Sequence, residues 1–347
     1  MCYDVPDWAF HNICRNISVV TDGFEFDLYS KKDWFKTPVA DEIAQKADVI
    51  VFLWRFDALA FLDSLSEASW DKMCGPDRPS LITMIYDHLY QDEASLEKIG
   101  NPFHVSDVIC ASSERLQRIY EEEPHLPSVH YTLADGVNLD RFPTKQKSSV
   151  DEPLRIGWVG NSEWGQKYGT DLKGRRTIFD PAIATLKAQA LNFETRIADR
   201  AEKRVAYEDM PDFYGNLDIL VCTSAIEGTP NPVLEAMASG AAIVSTDVGI
   251  VPEVLGPRQS EFILDREPDV FSTALGRIIE DRGLFAELCS ENIARREFIT
   301  WESRGPLWKA SFEAALNRPD KGNGPQTAAL KRYRIAPWRN VSHKMPA

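Results

Sequence analysis

The stretch that decides the fold is residues 224–255, SAIEGTPNPVLEAMASGAAIVSTDVGIVPEVL. Two carboxylates, Glu227 and Glu235, stand eight positions apart and enclose Gly-Thr-Pro-Asn-Pro. That pentapeptide cannot continue a strand, but it starts a helix well: Asn231 suits the N-cap, and Pro232 suits the first helical position, where its missing N–H costs nothing. Gly240 stops the helix, so the spacing predicts a short helix over 232–239. The apolar run 241–244 then reads as a buried parallel strand. Glu227 precedes the helix. Glu235 lies near its start, and helical side chains lean toward the N-terminus, which brings both acids to the same end. That end attracts anions through its free N–H groups and its dipole. A diphosphate there, flanked by carboxylates that accept sugar hydroxyls, describes a nucleotide-sugar.

Outward from this segment the chain alternates strand and helix. Strands are expected at 17–20, 48–54, 81–86, 107–111 and 128–133, with helices at 38–47, 57–65, 94–99 and 113–122. Thr37 is the expected cap of the first of these helices, with Pro38 at its first position. A second run follows. Its strands are expected at 154–159, 193–198, 218–222 and 241–245, and its helices at 180–191, 210–217, 271–281, 284–299 and 304–317. Alternation of this kind gives parallel sheets covered on both faces. At 347 residues two domains are the default. The polar, proline-ended stretch 145–153 reads as their linker.

The 224–255 segment resembles the retaining glycosyltransferases of family 4, which have the GT-B fold. Their signature appears here as Glu227, Glu235, the small-residue helix Ala236 to Gly240, and Val248, Gly249 and Glu253. The resemblance is dense over this segment and weaker over most of the chain. It implies an α/β, GT-B architecture of two Rossmann-like domains facing across a cleft. The expected divisions are an acceptor-side domain over 1–148 with a truncated first strand, a nucleotide-sugar domain over 149–303, a helix over 304–320 returning to the first domain, and a basic tail over 321–347.

The resemblance also assigns roles. Glu235 accepts from the ribose hydroxyls, as a carboxylate's two oxygens suit a vicinal diol. Glu227 contacts the transferred sugar and steadies charge at its anomeric carbon. Backbone N–H groups of Thr229, Asn231 and Val233 bind phosphate or sugar oxygens. After strand 154–159 the family places an Arg behind Gly160, then a Lys-Gly. Here Asn161 takes the Arg position, the loop is longer, and Lys173-Gly174 matches. Lys173 neutralises the leaving diphosphate, where charge grows in the transition state. Arg175 or Arg176 replaces the missing Arg, or the cradle is weaker. His88, ending an apolar strand, positions the donor sugar, and Arg55 is a candidate for the acceptor. The Asp135-Gly136-Val137 turn, followed by Phe142, resembles a family turn and reads as a hinge. The family's opening Gly-rich loop is missing. Asp4 and Asp7 stand there instead, as acceptor-side candidates or as signs of an internal start.

Catalytic residues are therefore expected at Glu227, Lys173 and His88. Donor contacts are expected at Glu235, Gly160, Asn161, Arg175, Thr229, Asn231 and Val233. Neither metal nor cofactor is expected, because no Asp-x-Asp triplet and no His/Cys ligand spacing occurs. The partners implied are a nucleoside-diphosphate sugar as co-substrate and a carbohydrate or lipid-linked acceptor. The implied process is surface polysaccharide or glycoconjugate synthesis. Two other readings are a nucleotide-sugar-binding protein without transfer and a nucleotide-sugar epimerase. The first is supported by Asn161 and the short start; the second is opposed by the dense Glu-rich segment.

Charge adds limits. The net charge is −14, yet residues 321–347 carry six basic side chains and no acid, so the remainder carries −20. An acidic body argues against nucleic acid. The tail, with Tyr333 and Trp338 among its basic residues, has two readings: contact with an anionic membrane surface, or a solvated segment against the acidic body. Six cysteines without metal spacing, and no 18-residue apolar run, point to a reduced, cytoplasmic setting, peripheral to the inner membrane face if the tail binds lipid.

Overall fold

The computed structural model describes residues 1–149, 151–166, 169–318 and 322–335. The chain forms two compact units: Met1–Ala134 together with Arg304 onward, and Asp135–Ser303.

The first unit holds a six-stranded parallel sheet. Its strands are β1 (Cys2–Tyr3), β2 (Tyr29–Ser30), β3 (Val49–Phe52), β4 (Ser80–Ile85), β5 (Val108–Ala111) and β6 (Tyr131–Thr132), in the order β2-β1-β3-β4-β5-β6. β4 is buried along its whole length, as the centre of a sheet covered on both faces must be. The second unit holds β7 (Leu154–Gly160), β8 (Phe193–Asp199), β9 (Ile219–Cys222), β10 (Ala242–Thr246) and β11 (Ile263–Leu264), also all parallel, in the order β11-β10-β9-β7-β8. Each unit has its own buried apolar cluster.

Several expectations are corrected. Residues 17–20 are not a strand; they end the helix Ala9–Val20. Their β-branched run reads as extended in isolation, but Ile13, Cys14 and Ile17 continue one helical stripe, all three buried. The first strand, expected to be truncated, is two residues long and pairs in parallel with both β2 and β3. The units divide at Ala134–Asp135, ahead of the expected 148–149, because the intervening segment is tied to the second unit. There Val137 N–H donates to Ile299 O at 2.8 Å, and Ser148 N–H to Asp218 Oδ1 at 2.8 Å.

The tail is corrected as well. Residues 325–335 form a helix, Pro325–Ile335, with Thr327, Ala329, Leu330 and Tyr333 buried in the first unit. Tyr333 stacks on Trp70 and donates to Asp63 at 3.0 Å, while Arg334 pairs with Glu67 and Asp71. These two side chains are therefore engaged within the unit and are not presented to a membrane. Lys321, Trp338, Arg339 and Lys344 lie outside the described residues. Among the described residues, no helix is long and apolar enough to cross a membrane.

Candidate nucleotide-sugar site

The site is built at the carboxyl ends of β7 and β9, the edge where open parallel sheets bind ligands. β9 ends at Cys222, and the loop from Thr223 leads to the helix Asn231–Ala238. This helix starts one residue earlier than expected. Pro230 takes the cap position, so Asn231 is the first helical residue and not the cap. The Val233 N–H is already used, donating to Pro230 O at 2.8 Å. Pro230 and Pro232 carry no N–H, so Asn231 supplies the backbone donor at the first helical position of this tip. Thr229 Oγ1 itself accepts from Asp135 N–H at 3.4 Å.

Backbone contact fixes the loop. Gly249 has φ +47°, and a Cβ there would lie 2.0 Å from Gly228 O. That same carbonyl accepts from Ile250 N–H at 2.9 Å. The Val248-Gly249 turn thus clasps the residue after Glu227, and only glycine fits.

Lys173 and Glu227 meet. The Lys173 ammonium pairs with Glu227 Oε1, which also accepts from Ser224 Oγ at 2.7 Å. Lys173 Nζ stands 4.9 Å from the centre of the Trp164 ring. The lysine backbone is anchored too: its carbonyl accepts from Thr223 Oγ1 at 2.8 Å, and Thr223 in turn accepts from Trp158 Nε1 at 3.1 Å. Gly174 follows at φ +70°, where a Cβ would fall 2.2 Å from Thr223 O. Arg266 closes the arrangement by donating to Thr223 O at 2.9 Å and to Asp171 O.

Glu235 lies in the next turn of its helix, half-buried. Burial pushes its carboxyl up to about 7, against the pull of the Tyr214 hydroxyl and the Arg141 guanidinium facing it. Arg141 is itself laid over the Tyr207 ring, 3.7 Å from its centre.

The remaining donor candidates are placed differently. Gly160 ends β7, paired with Asp199. Asn161 turns inward on its own loop, its Oδ1 accepting from Glu163 N–H at 3.1 Å. It is a turn-former, not a cation in disguise. Arg175 is held by Asp180 at 2.8 Å and Asp199 at 3.4 Å, with Trp158 and Phe179 beneath it. Its guanidinium is engaged by those acids in this structure. The helix start behind it is also occupied, because Asp171 accepts from the N–H groups of Gly174, Arg176 and Thr177 at 2.8–2.9 Å.

His88 belongs to the first unit. It is half-buried, its Nδ1 has no hydrogen-bond partner among the described residues, and burial holds its pKa below the ordinary value against the pull of Asp87. Arg55, the acceptor candidate, is 1% exposed and donates to Asp87 at 3.0 Å and to Leu89 O. It anchors the Asp87–Leu89 turn and does not present its guanidinium to solvent.

Sequence reasoning missed Trp164, Ser224, Arg266, Arg141 and Tyr214. Ser224 was legible, three residues before Glu227. Arg266 and Arg141 reach the site from distant segments and leave no local signal.

Residues 180–281 match the model of the glycosyl transferases group 1 family. The chain is 30% identical over 115 residues to the MMP alpha-(1->4)-mannosyltransferase of Mycolicibacterium hassiacum, covering 32% of this chain and 28% of the relative. It is 27% identical over 136 residues to the lipopolysaccharide core biosynthesis mannosyltransferase LpsB of Rhizobium meliloti, covering 38% and 37%. The matched stretches thus span well under half of those relatives' own lengths. Among solved structures, Anabaena HepE in complex with UDP-glucose superposes with TM-score 0.65 at 13% identity, covering 90% of this chain and 99% of that one. This likeness, with two parallel-sheet α/β units, gives the chain the GT-B fold.

Proposed function

We propose that the chain is a glycosyltransferase that takes a sugar from a nucleoside diphosphate and adds it, with retained configuration and without metal, to a hydroxyl of a carbohydrate or lipid-linked acceptor. The observation that carries this is the Lys173–Glu227 pair held beside the Asn231–Ala238 helix tip, with Glu235 in the following turn. The partial match to mannosyltransferases, and the HepE complex with UDP-glucose, support the same substrate class.

In this reading the bond from the anomeric carbon to the diphosphate oxygen breaks. The acceptor oxygen bonds to the same face of that carbon, and its proton passes to the departing phosphate. An ammonium has three donors, so Lys173 serves the diphosphate while keeping Glu227 in place. Its attraction grows as negative charge collects on the leaving oxygen. Glu227 accepts from a hydroxyl of the transferred sugar, and Glu235 from the ribose once ionised. His88, kept neutral by burial, donates to a sugar hydroxyl. A role in surface polysaccharide or glycoconjugate synthesis, at the cytoplasmic face of a membrane, belongs to the same proposal.

The test is incubation with UDP- and GDP-sugars while following nucleotide release and transfer. Slow donor hydrolysis, or transfer to added glycans, is the expected result. Tight donor binding with no turnover would instead identify a binding protein, and an altered free nucleotide-sugar an epimerase.

A further inference from the structure

Trp164 stands on the turn that follows β7, and the turn is held from several sides. The Trp164 N–H donates to Asn161 O at 3.0 Å, and the Ser162 N–H donates to Asp199 Oδ1 at 3.1 Å. Gly165 comes next at φ +94°, where a Cβ would lie 2.8 Å from the Leu172 side chain. The Leu172 carbonyl in turn accepts from Ala225 N–H at 2.8 Å, in the loop that bears Glu227. The turn is thus keyed to the same backbone that places the Lys173–Glu227 pair.

An indole kept only for packing would be buried, as those of Trp34, Trp70, Trp158 and Trp308 are. Trp164 is 36% exposed, and its ring centre is the one that Lys173 Nζ approaches to 4.9 Å. A lysine ends in a hydrated point charge on a flexible four-carbon stem, so the anchoring of its backbone by Thr223 does not fix the ammonium. Two contacts do: the Glu227 carboxylate and the indole. They act differently. A carboxylate neutralises the cation and weakens its pull on any other anion. A ring quadrupole attracts the cation while its formal charge stays uncompensated. Of the three ammonium donors Glu227 takes one, and no other hydrogen-bond acceptor meets the ammonium among the described residues.

We propose that Trp164 is a positioning residue of the transfer: its indole holds the Lys173 ammonium ready for the diphosphate, so that the cation is in place before charge collects on the leaving oxygen. A charge set in advance favours the transition state over the bound donor, because nothing has to rearrange as the bond breaks. The catalytic role rests on the reading of Lys173 given above; the contact of ammonium and indole does not. Phenylalanine keeps part of the attraction and leucine keeps only apolar bulk, so the two substitutions separate the quadrupole of the ring from its volume.

Two measurements on the full chain test this. The first reads the contact. Reductive methylation with isotope-labelled formaldehyde turns each lysine into a dimethylammonium that keeps its charge, and NMR finds the Lys173 methyl signal as the one absent from Lys173→Arg. In the parent chain the indole ring current shifts it upfield of the other lysines. The shift is smaller in Trp164→Phe and gone in Trp164→Leu. The second measurement reads the consequence, as turnover of UDP-glucose and GDP-mannose. Trp164→Leu lowers kcat about tenfold with KM nearly unchanged. Trp164→Phe recovers most of that loss, and in a Lys173→Ala background Trp164→Leu costs nothing further. A Lys173 signal indifferent to the indole, a leucine variant as fast as the parent, or one that slows Lys173→Ala by the same factor would overturn the proposal. A shifted signal in a parent chain that consumes neither nucleotide-sugar would instead overturn the glycosyltransferase reading, and the catalytic role of Trp164 with it.

Discussion

The two units share a parallel-sheet plan but fix their functional edges by different means. In the second unit, backbone meets backbone: Gly249 against Gly228, Gly174 against Thr223. The side chains of Lys173 and Glu227 follow from where those backbones are pinned. In the first unit, three strands are only two residues long, and ion pairs with one partner buried set the edge, Lys31 with Asp57 and Arg55 with Asp87. Backbone contact demands glycine at fixed spacing and writes a motif into the sequence. Ion pairs between strand ends can be built from many residue pairs and write none.

The sharpest way to break this contrast is Lys173→Ala. Losing the cation opposite the leaving group is expected to lower turnover by about 10²–10³-fold, with a much smaller loss of donor affinity. Steady-state kinetics with a nucleotide-sugar checks it, and equal losses in both would move Lys173 from the reaction to simple binding.

Gly249→Ala comes next. Its Cβ would strike the Gly228 carbonyl in a left-handed conformation, and a loss of about 3 kcal/mol is expected in denaturant unfolding. Leu330→Ala probes the other unit. Leu330 is fully buried in the helix Pro325–Ile335, so about 3 kcal/mol is expected there too. Nucleotide affinity should be unchanged in this variant, and a loss would blur the separation of the units.

Glu235→Gln gives the smallest effect, about tenfold in nucleotide-sugar affinity at pH 8. The sign of its pH dependence is fixed. The carboxyl pKa rises from 4.5 to about 7 on folding, so between those values the folded chain holds a proton that the unfolded chain has lost. Stability therefore falls as pH rises through that window, and the variant removes this slope. Ribose binding needs the ionised form, so affinity of the parent strengthens through about pH 7. A sugar nucleotide is the ligand for this titration, because its diphosphate does not titrate there.

Most of the second unit was legible. The strand at 241–245, the helix at 232–239 and the paired acids follow from local spacing, and the structure moves their bounds by one residue. The cap was misread because Pro230, carrying no side-chain cap, closes the turn through its carbonyl. The fate of Arg175 was not legible either, since Asp199 approaches from the neighbouring strand. In the first unit the helix over 17–20 and the packed helix over 325–335 were missed for one reason. Each short run reads differently until the stripe it continues, or the core it covers, is known. Lys31 and Asp57 stand 26 positions apart, and only the sheet order brings them together.

The most direct test is calorimetric titration of UDP and GDP into the parent chain and into Glu227→Gln, Lys173→Ala and Glu235→Gln. One of the two nucleotides should bind with one-to-one stoichiometry, with Lys173→Ala and Glu235→Gln weaker and Glu227→Gln close to the parent. Failure of both nucleotides to bind the parent chain, or binding that none of the three substitutions alters, would contradict the assignment of this site.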